Sequence, residues 1–145
     1  MVQIRVRHLD PELALPRPHH DHDAGLDLRA RIDVVIEPRG GRALVPTGIA
    51  VAIPPGHGGF VLPRSGLALN HGVTCLNAPG LIDPQYRGEV KVLLVNTDPE
   101  EAFVVARGDR IAQLVVQRVE AVEWEEVDDL DATTRDTFGF GSTGR

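Results

Sequence analysis

The sequence predicts an all-β domain, a sandwich or barrel of short strands, on three observations. Most of the chain alternates apolar and polar residues with a period of two. Gly or Pro punctuation recurs about every eight to twelve residues. At 145 residues, 42% hydrophobic and 25% charged, the chain is long enough for one ordinary core and has neither the composition of a disordered segment nor that of a membrane protein.

The elements follow in order. Val2, Ile4 and Val6 fall on one face of an opening strand, with Gln3, Arg5 and Arg7 on the other. An irregular segment rich in Pro and His, 9–23, comes next. Strand character resumes over 26–36, turns at Pro38-Arg39-Gly40-Gly41, and continues over 43–53 with Pro46 and Gly48 marking a bulge or edge. Pro54 to Gly59 reads as a turn and 60–62 as a short strand. Residues 65–70 form the one helical turn, which Ser65 is suited to cap. Asn77 to Val92 contains two turn signals, Ala78-Pro79-Gly80 and Asp83-Pro84, and ends in a strand, so it reads as a hairpin-like excursion with a rigid tip. After Thr97-Asp98-Pro99 come strands over 102–106, 110–119 and 122–127, with Arg107-Gly108-Asp109 as a turn. The domain is expected to span 1–127 and a mobile, glycine-rich tail 128–145.

Charge and cysteine usage narrow the function. A net charge of −6 argues against broad affinity for a nucleic acid backbone while leaving room for one small anion in a locally basic pocket. The single cysteine, Cys75, excludes an intramolecular disulfide framework. No apolar run is long enough for a transmembrane helix, and the alternating first residues do not resemble a signal peptide, so a cytoplasmic protein without a membrane partner is expected.

Several residues carry chemistry, each open to a plainer reading. Asp83, Tyr86 and Arg87 crowd one stiff loop, where Pro and Gly can hold functional groups at defined positions. Asp-Pro is also an ordinary turn initiator, and a lone Tyr more often belongs to a core. Arg64-Ser65-Gly66 offers an anion a guanidinium, a hydroxyl and backbone N–H groups, yet is equally a helix start. Asp27, Gln113 and Arg135 each have a solvated reading. His19, His20 and His22 with Asp21 and Asp23 form a weak metal candidate, lacking a second ligand group at a recognisable spacing. The glycine-rich ending lacks a Walker core, and no nucleophile elbow surrounds Ser65 to support a triad with His71 and Asp83.

Taken in order, these fragments resemble the five motifs of the trimeric dUTPases. The matching stretches are 24–30, 63–68, 77–90, 107–114 and 135–144. The resemblance implies a jelly-roll-like, β-clip subunit assembled as a homotrimer, with active sites at subunit interfaces. It implies hydrolysis of dUTP to dUMP and pyrophosphate with Mg2+, limiting uracil in DNA and supplying dUMP for dTMP synthesis. Carried over by position, Asp83 would activate the attacking water and Tyr86 would pack under the deoxyribose. The backbone from Asn77 through Gly80 to Ile82 would read uracil, with a side-chain contribution from Asn77. Arg64, Ser65, Gly66 and Gln113 would hold phosphates, and Asp27 would reach the metal through water. Arg135, Phe140, Gly141, Ser142 and Thr143 would close over the nucleotide. Arg87 is expected to brace the loop or an interface. The motif-five stretch departs from the family pattern by placing Asp136-Thr137-Phe138 before Gly139. Two rivals share some of these features. A deaminase acting on dCTP would need an extra acidic group that the hairpin lacks, and a regulatory nucleotide sensor would have no need of a water-activating base.

Overall fold

A computed structural model describes residues 2–133 of the chain. The strands are β1 (Arg5–His8), β2 (Leu26–Arg29), β3 (Val34–Ile36), β4 (Gly41–Ala52), β5 (His57–Leu62), β6 (Val73–Cys75), β7 (Gly80–Ile82), β8 (Glu89–Asn96), β9 (Phe103–Val105) and β10 (Arg110–Arg118), with α1 (Ser65–His71) between β5 and β6. They form a sheet ordered β1-β4-β8-β6, a second ordered β2-β10-β5-β7, and a β3-β9 ribbon, all antiparallel. The jelly-roll-like, all-β expectation with one short helix therefore holds.

Alternation builds the core. In β8, Val90, Val92 and Leu94 point inward, and they meet Val45 and Val51 of β4, Leu28 of β2, Val61 of β5 and Leu114 of β10 in one cluster to which every strand except β1 contributes. Burying side chains of this size contributes about 1.5–3 kcal/mol each. Asn96, fully buried, closes β8: its amide donates to the Ile36 and Glu101 carbonyls at 3.0 and 2.8 Å and accepts from the Asp98 N–H at 3.0 Å. That side chain ties the β3-β9 ribbon to the first sheet.

The Pro46–Gly48 bulge is present, as a register shift between Pro46 and Ala50 with Gly48 at φ 76°. Arg107-Gly108-Asp109 is a turn, with the Asp109 carboxylate accepting from the Ala106 N–H. Other expectations need correction. The opening strand begins at Arg5, and Val2 and Val6 remain largely exposed. The expected strand over 26–36 breaks into β2 and β3, because Ala30 turns away to bond the Arg107–Asp109 turn through its N–H and C=O. β5 starts inside the glycine run expected to be a turn, where Gly58 and Gly59 pair with Gln117 and Val116. Ser65 does not cap α1: Arg64 holds the N-cap position without a side-chain cap bond, while Gly72 ends the helix at φ 62°.

The 77–92 stretch is not a hairpin. β7 pairs with β5, while β8 sits between β4 and β6, so the loop carries the chain from one sheet to the other. Turn residues mark a reversal equally well for either connection, and β8 pairs along both backbone edges while its apolar face packs against the second sheet. The expected strand over 122–127 is also absent: Val122, Trp124 and Val127 stay exposed, since alternation without a partner strand among the described residues gives no ladder.

Candidate active site

Two groups of the sequence-predicted residues assemble separately. The first is a cluster on the second sheet. Asp27 on β2 lies opposite Gln113 on β10, which lies opposite Leu62 at the end of β5. The Asp27 carboxylate accepts from Arg110 at 3.2 Å and lies 3.9 Å from Arg64, and it is largely shielded from solvent. Arg64 in turn donates to the Arg110 carbonyl at 2.9 Å. Gln113 donates to the Pro63 carbonyl at 3.1 Å, fixing its amide beside the start of α1. Gly25 permits this: a Cβ there would stand 3.2 Å from both Cβ and Cδ of Gln113. Arg64 and Arg110 also wall a pocket of about 300 Å³ with Leu67, Phe103 and Asp109. Ser65 and Gly66 sit exposed in the first turn of α1.

The second group is a cleft of about 380 Å³ lined by Asn77, Gly80, Ile82 and Tyr86, with Leu44, Lys91 and Leu93 across from them. β7 is an edge strand, paired only to β5 among the described residues, so its other backbone edge is free. Gly80 brings that backbone close to Asn77, whose amide nitrogen would stand 3.2 Å from a Cβ at position 80. The Ala78–Pro79 peptide bond before it is cis. Asp83 follows the cleft wall directly, exposed, with its backbone carbonyl accepting from the Tyr86 N–H at 3.1 Å. The Tyr86 hydroxyl donates to the Glu89 carbonyl at 2.9 Å. Arg87 braces the loop, as expected, by donating to the Pro84 and Tyr86 carbonyls at 2.6 and 2.8 Å.

No residue of the first cluster lines the second cleft. Arg135, Phe140, Gly141, Ser142 and Thr143 lie outside the described residues. The His19–His22 cluster does not assemble: the His19 and His20 rings meet edge-on at 4.5 Å, and among the described residues no three His, Cys, Asp or Glu side chains converge to hold a metal. Sequence reasoning missed Arg110, Gly25, Lys91 and Glu89. Arg110 falls inside the 107–114 stretch that resembles the fourth motif, but its reach to Asp27 comes from the pairing of β10 with β2.

The fold and these two pockets define a class, a jelly-roll-like β subunit that sets a pocket walled by two arginines and an aspartate apart from a strand-edged cleft. The model of the dUTPase family matches residues 12–144. The chain belongs to the dUTPase family and is an enzyme of the dUTP diphosphatase type. It is 54% identical over 145 residues to the deoxyuridine 5′-triphosphate nucleotidohydrolase of Corynebacterium glutamicum, covering 100% of this chain and 97% of that one. The Thermobifida fusca protein of the same name is 56% identical over 143 residues, covering 99% and 79%. Among solved structures, the Staphylococcus bacteriophage 80alpha dUTPase with dUPNHPP superposes with TM-score 0.84 at 26% identity over 100% of both chains. The dUTPase of phage phi11 of S. aureus, described with a structural Mg(II) ion, gives 0.79 at 24% identity over 90% and 100%.

Proposed function

We propose that this chain hydrolyses dUTP to dUMP and pyrophosphate through water activated by Asp83, with the nucleoside in the Asn77–Tyr86 cleft and the triphosphate against the Arg64–Arg110 cluster. The observation that carries the reading is the placement of Asp83: an exposed carboxylate follows directly on the wall of a nucleoside-sized cleft, and its side chain is engaged by no other described residue. A base engaged elsewhere would first have to be freed.

The free edge of β7 offers main-chain donors and acceptors suited to a uracil edge, and a stiff strand next to Gly80 rejects by shape a base carrying an extra methyl. Tyr86 supplies a flat wall for the sugar. Asp83 takes a proton from water as it attacks the α-phosphorus, and Arg64 with Gln113 and Ser65 orients the phosphates; displacement at phosphorus asks little else of a protein than positioning and charge. Asp27 would hold Mg2+ through its water shell while shared with Arg110 and Arg64, since one carboxylate beside substrate phosphates suits that ion better than a protein cage. Bound there, Mg2+ would offset charge developing on the phosphate oxygens.

The two pockets belong to one site when subunits associate as a homotrimer. Trp124, 90% exposed, and Val122, 71% exposed, present apolar surface of the kind a second copy covers. The tail over 128–145 with Arg135 then closes over the nucleotide. The product fits a cytoplasmic role in keeping uracil out of DNA and providing dUMP for dTMP synthesis; among the described residues no helix is long and apolar enough to cross a membrane.

The test is a panel of dUTP, UTP, dTTP and dCTP with Mg2+, reading pyrophosphate and ammonia. Pyrophosphate from dUTP far above the other three is the expected result. Ammonia from dCTP, or dUTP binding without turnover, would overturn the proposal in favour of a deaminase or a nucleotide sensor.

A further inference from the structure

We infer that Gly88 is a specificity-positioning residue, which together with the Glu89 carbonyl locks the Tyr86 ring at the angle that discriminates deoxyribose from ribose. The inference rests on the proposed role of Tyr86 as the sugar wall of the cleft and adds what holds that wall in place. Tyr86 is 45% exposed, so packing alone does not fix it. A ring on a loop with that much solvent around it would sample several rotamers.

Two local features remove that freedom. The ring folds back over Gly88, where a Cβ would meet the Tyr86 hydroxyl and stand 2.6 Å from Cζ and 3.1 Å from Cε2, so only glycine leaves the space the ring occupies. Folded back in this way, the hydroxyl donates to the Glu89 carbonyl at 2.9 Å. Gly88 has no positive φ, so it is the space and not the backbone conformation that calls for glycine.

The acceptor is itself immobile. Glu89 begins β8 and pairs with Ala50 across the sheet. Its carboxylate accepts from the Gly48 N–H at 2.8 Å and from Arg31 at 3.3 Å. Arg31 is held in turn by Asp10 and by the Leu9 carbonyl. The backbone that carries the ring is braced as well, with Arg87 donating to the Pro84 and Tyr86 carbonyls. The ring is thus clamped between a braced loop and a strand anchored in the sheet, although little of its surface is covered. Pre-organisation of that kind is what a sugar wall needs if it is to refuse one added hydroxyl.

The experiment compares Gly88→Ala and Tyr86→Phe with the unaltered protein on dUTP and UTP, reading kcat/KM for each. Alanine at 88 displaces the exposed ring while the backbone accepts it, and phenylalanine keeps the ring but removes its tether. We expect the dUTP-to-UTP ratio to fall on the order of tenfold or more in Gly88→Ala, and in the same direction in Tyr86→Phe, the size expected when a pocket wall shifts by about a methylene's width. Partial misfolding lowers both activities together and leaves their ratio unchanged. A ratio within about twofold of the unaltered protein in both variants overturns the inference. Failure of the unaltered protein to prefer dUTP would instead count against the functional reading on which it rests.

Discussion

Replacing Asp83 with Asn separates catalysis from folding with unusual clarity at this position. The substitution keeps the shape of the side chain and deletes only its charge and its ability to take a proton. Asp83 is exposed, its side chain has no partner among the described residues, and the bond that shapes the loop, from the Tyr86 N–H to the Asp83 carbonyl, involves backbone alone. Stability should therefore stay within about 0.5 kcal/mol of the parent, as for surface changes that break no contact. A general base contributes roughly 10²- to 10⁴-fold to rate, so the barrier should rise by about 3–5 kcal/mol. The assay is steady-state pyrophosphate release from dUTP, run beside thermal melting and the binding of a non-hydrolysable α,β-imido analogue. Activity should fall at least a hundredfold, by rough estimate, with melting and analogue binding unchanged. Full activity in the variant would refute the assignment, because a residue that merely shaped the loop through its carbonyl would be replaced by Asn without loss.

Three further outcomes test the frame that holds the site. Asn96→Ala leaves the buried Ile36 carbonyl without its donor and removes the part-buried bonds to the Glu101 carbonyl and the Asp98 N–H; at about 1–3 kcal/mol for a buried group left unpaired, denaturant unfolding should show a loss on the order of 2 kcal/mol. The Arg107 guanidinium, hydrogen-bonded to Asp10, holds its carboxyl at about 2, below the ordinary 3.8. A lowered folded-state pKa gives a stabilisation present in full above the unfolded value and lost as pH falls through the folded one, so melting temperature should drop below about pH 4, and less steeply in Asp10→Asn. Burial pushes the Cys75 thiol up to about 11; iodoacetamide near neutral pH should leave the folded chain unlabelled and label it completely in denaturant, as judged by intact mass.

What the sequence makes legible is whatever depends on neighbours along the chain. The bulge at Pro46 and Gly48, the Arg107–Asp109 turn and the inward face of β8 all follow from local residue chemistry, and each is present. Strand pairing depends instead on partners far away. The same turn residues that suggest a hairpin at 77–92 also serve a crossing between sheets, and nothing local chooses between them. The exposed alternation of Val122, Trp124 and Val127 shows the same limit from the other side: a strand-like pattern is necessary for a ladder but does not provide its partner. At the site, residue types in order pointed to Asp27, Arg64 and Gln113, but the contact that organises them is made by Arg110, across a strand pair that only folding brings together.

That contact gives Asp27 a second task beside the one its motif implies. One carboxylate faces two guanidiniums, at 3.2 and 3.9 Å, in a setting largely screened from water. The pocket of about 300 Å³ is also lined by Asp109, whose carboxylate is engaged by the Ala106 N–H, so what the two arginines offer an anion there is direction rather than a simple surplus of charge. Asp27 also fixes the direction of both guanidiniums before any nucleotide arrives, so less side-chain freedom remains to be lost when phosphates bind. Were the arginines unpaired, their forks would be mobile and their attraction for phosphate less directional. One aspartate shared by two arginines keeps that geometry, and it accounts for a carboxylate beside a pocket proposed to receive an anion.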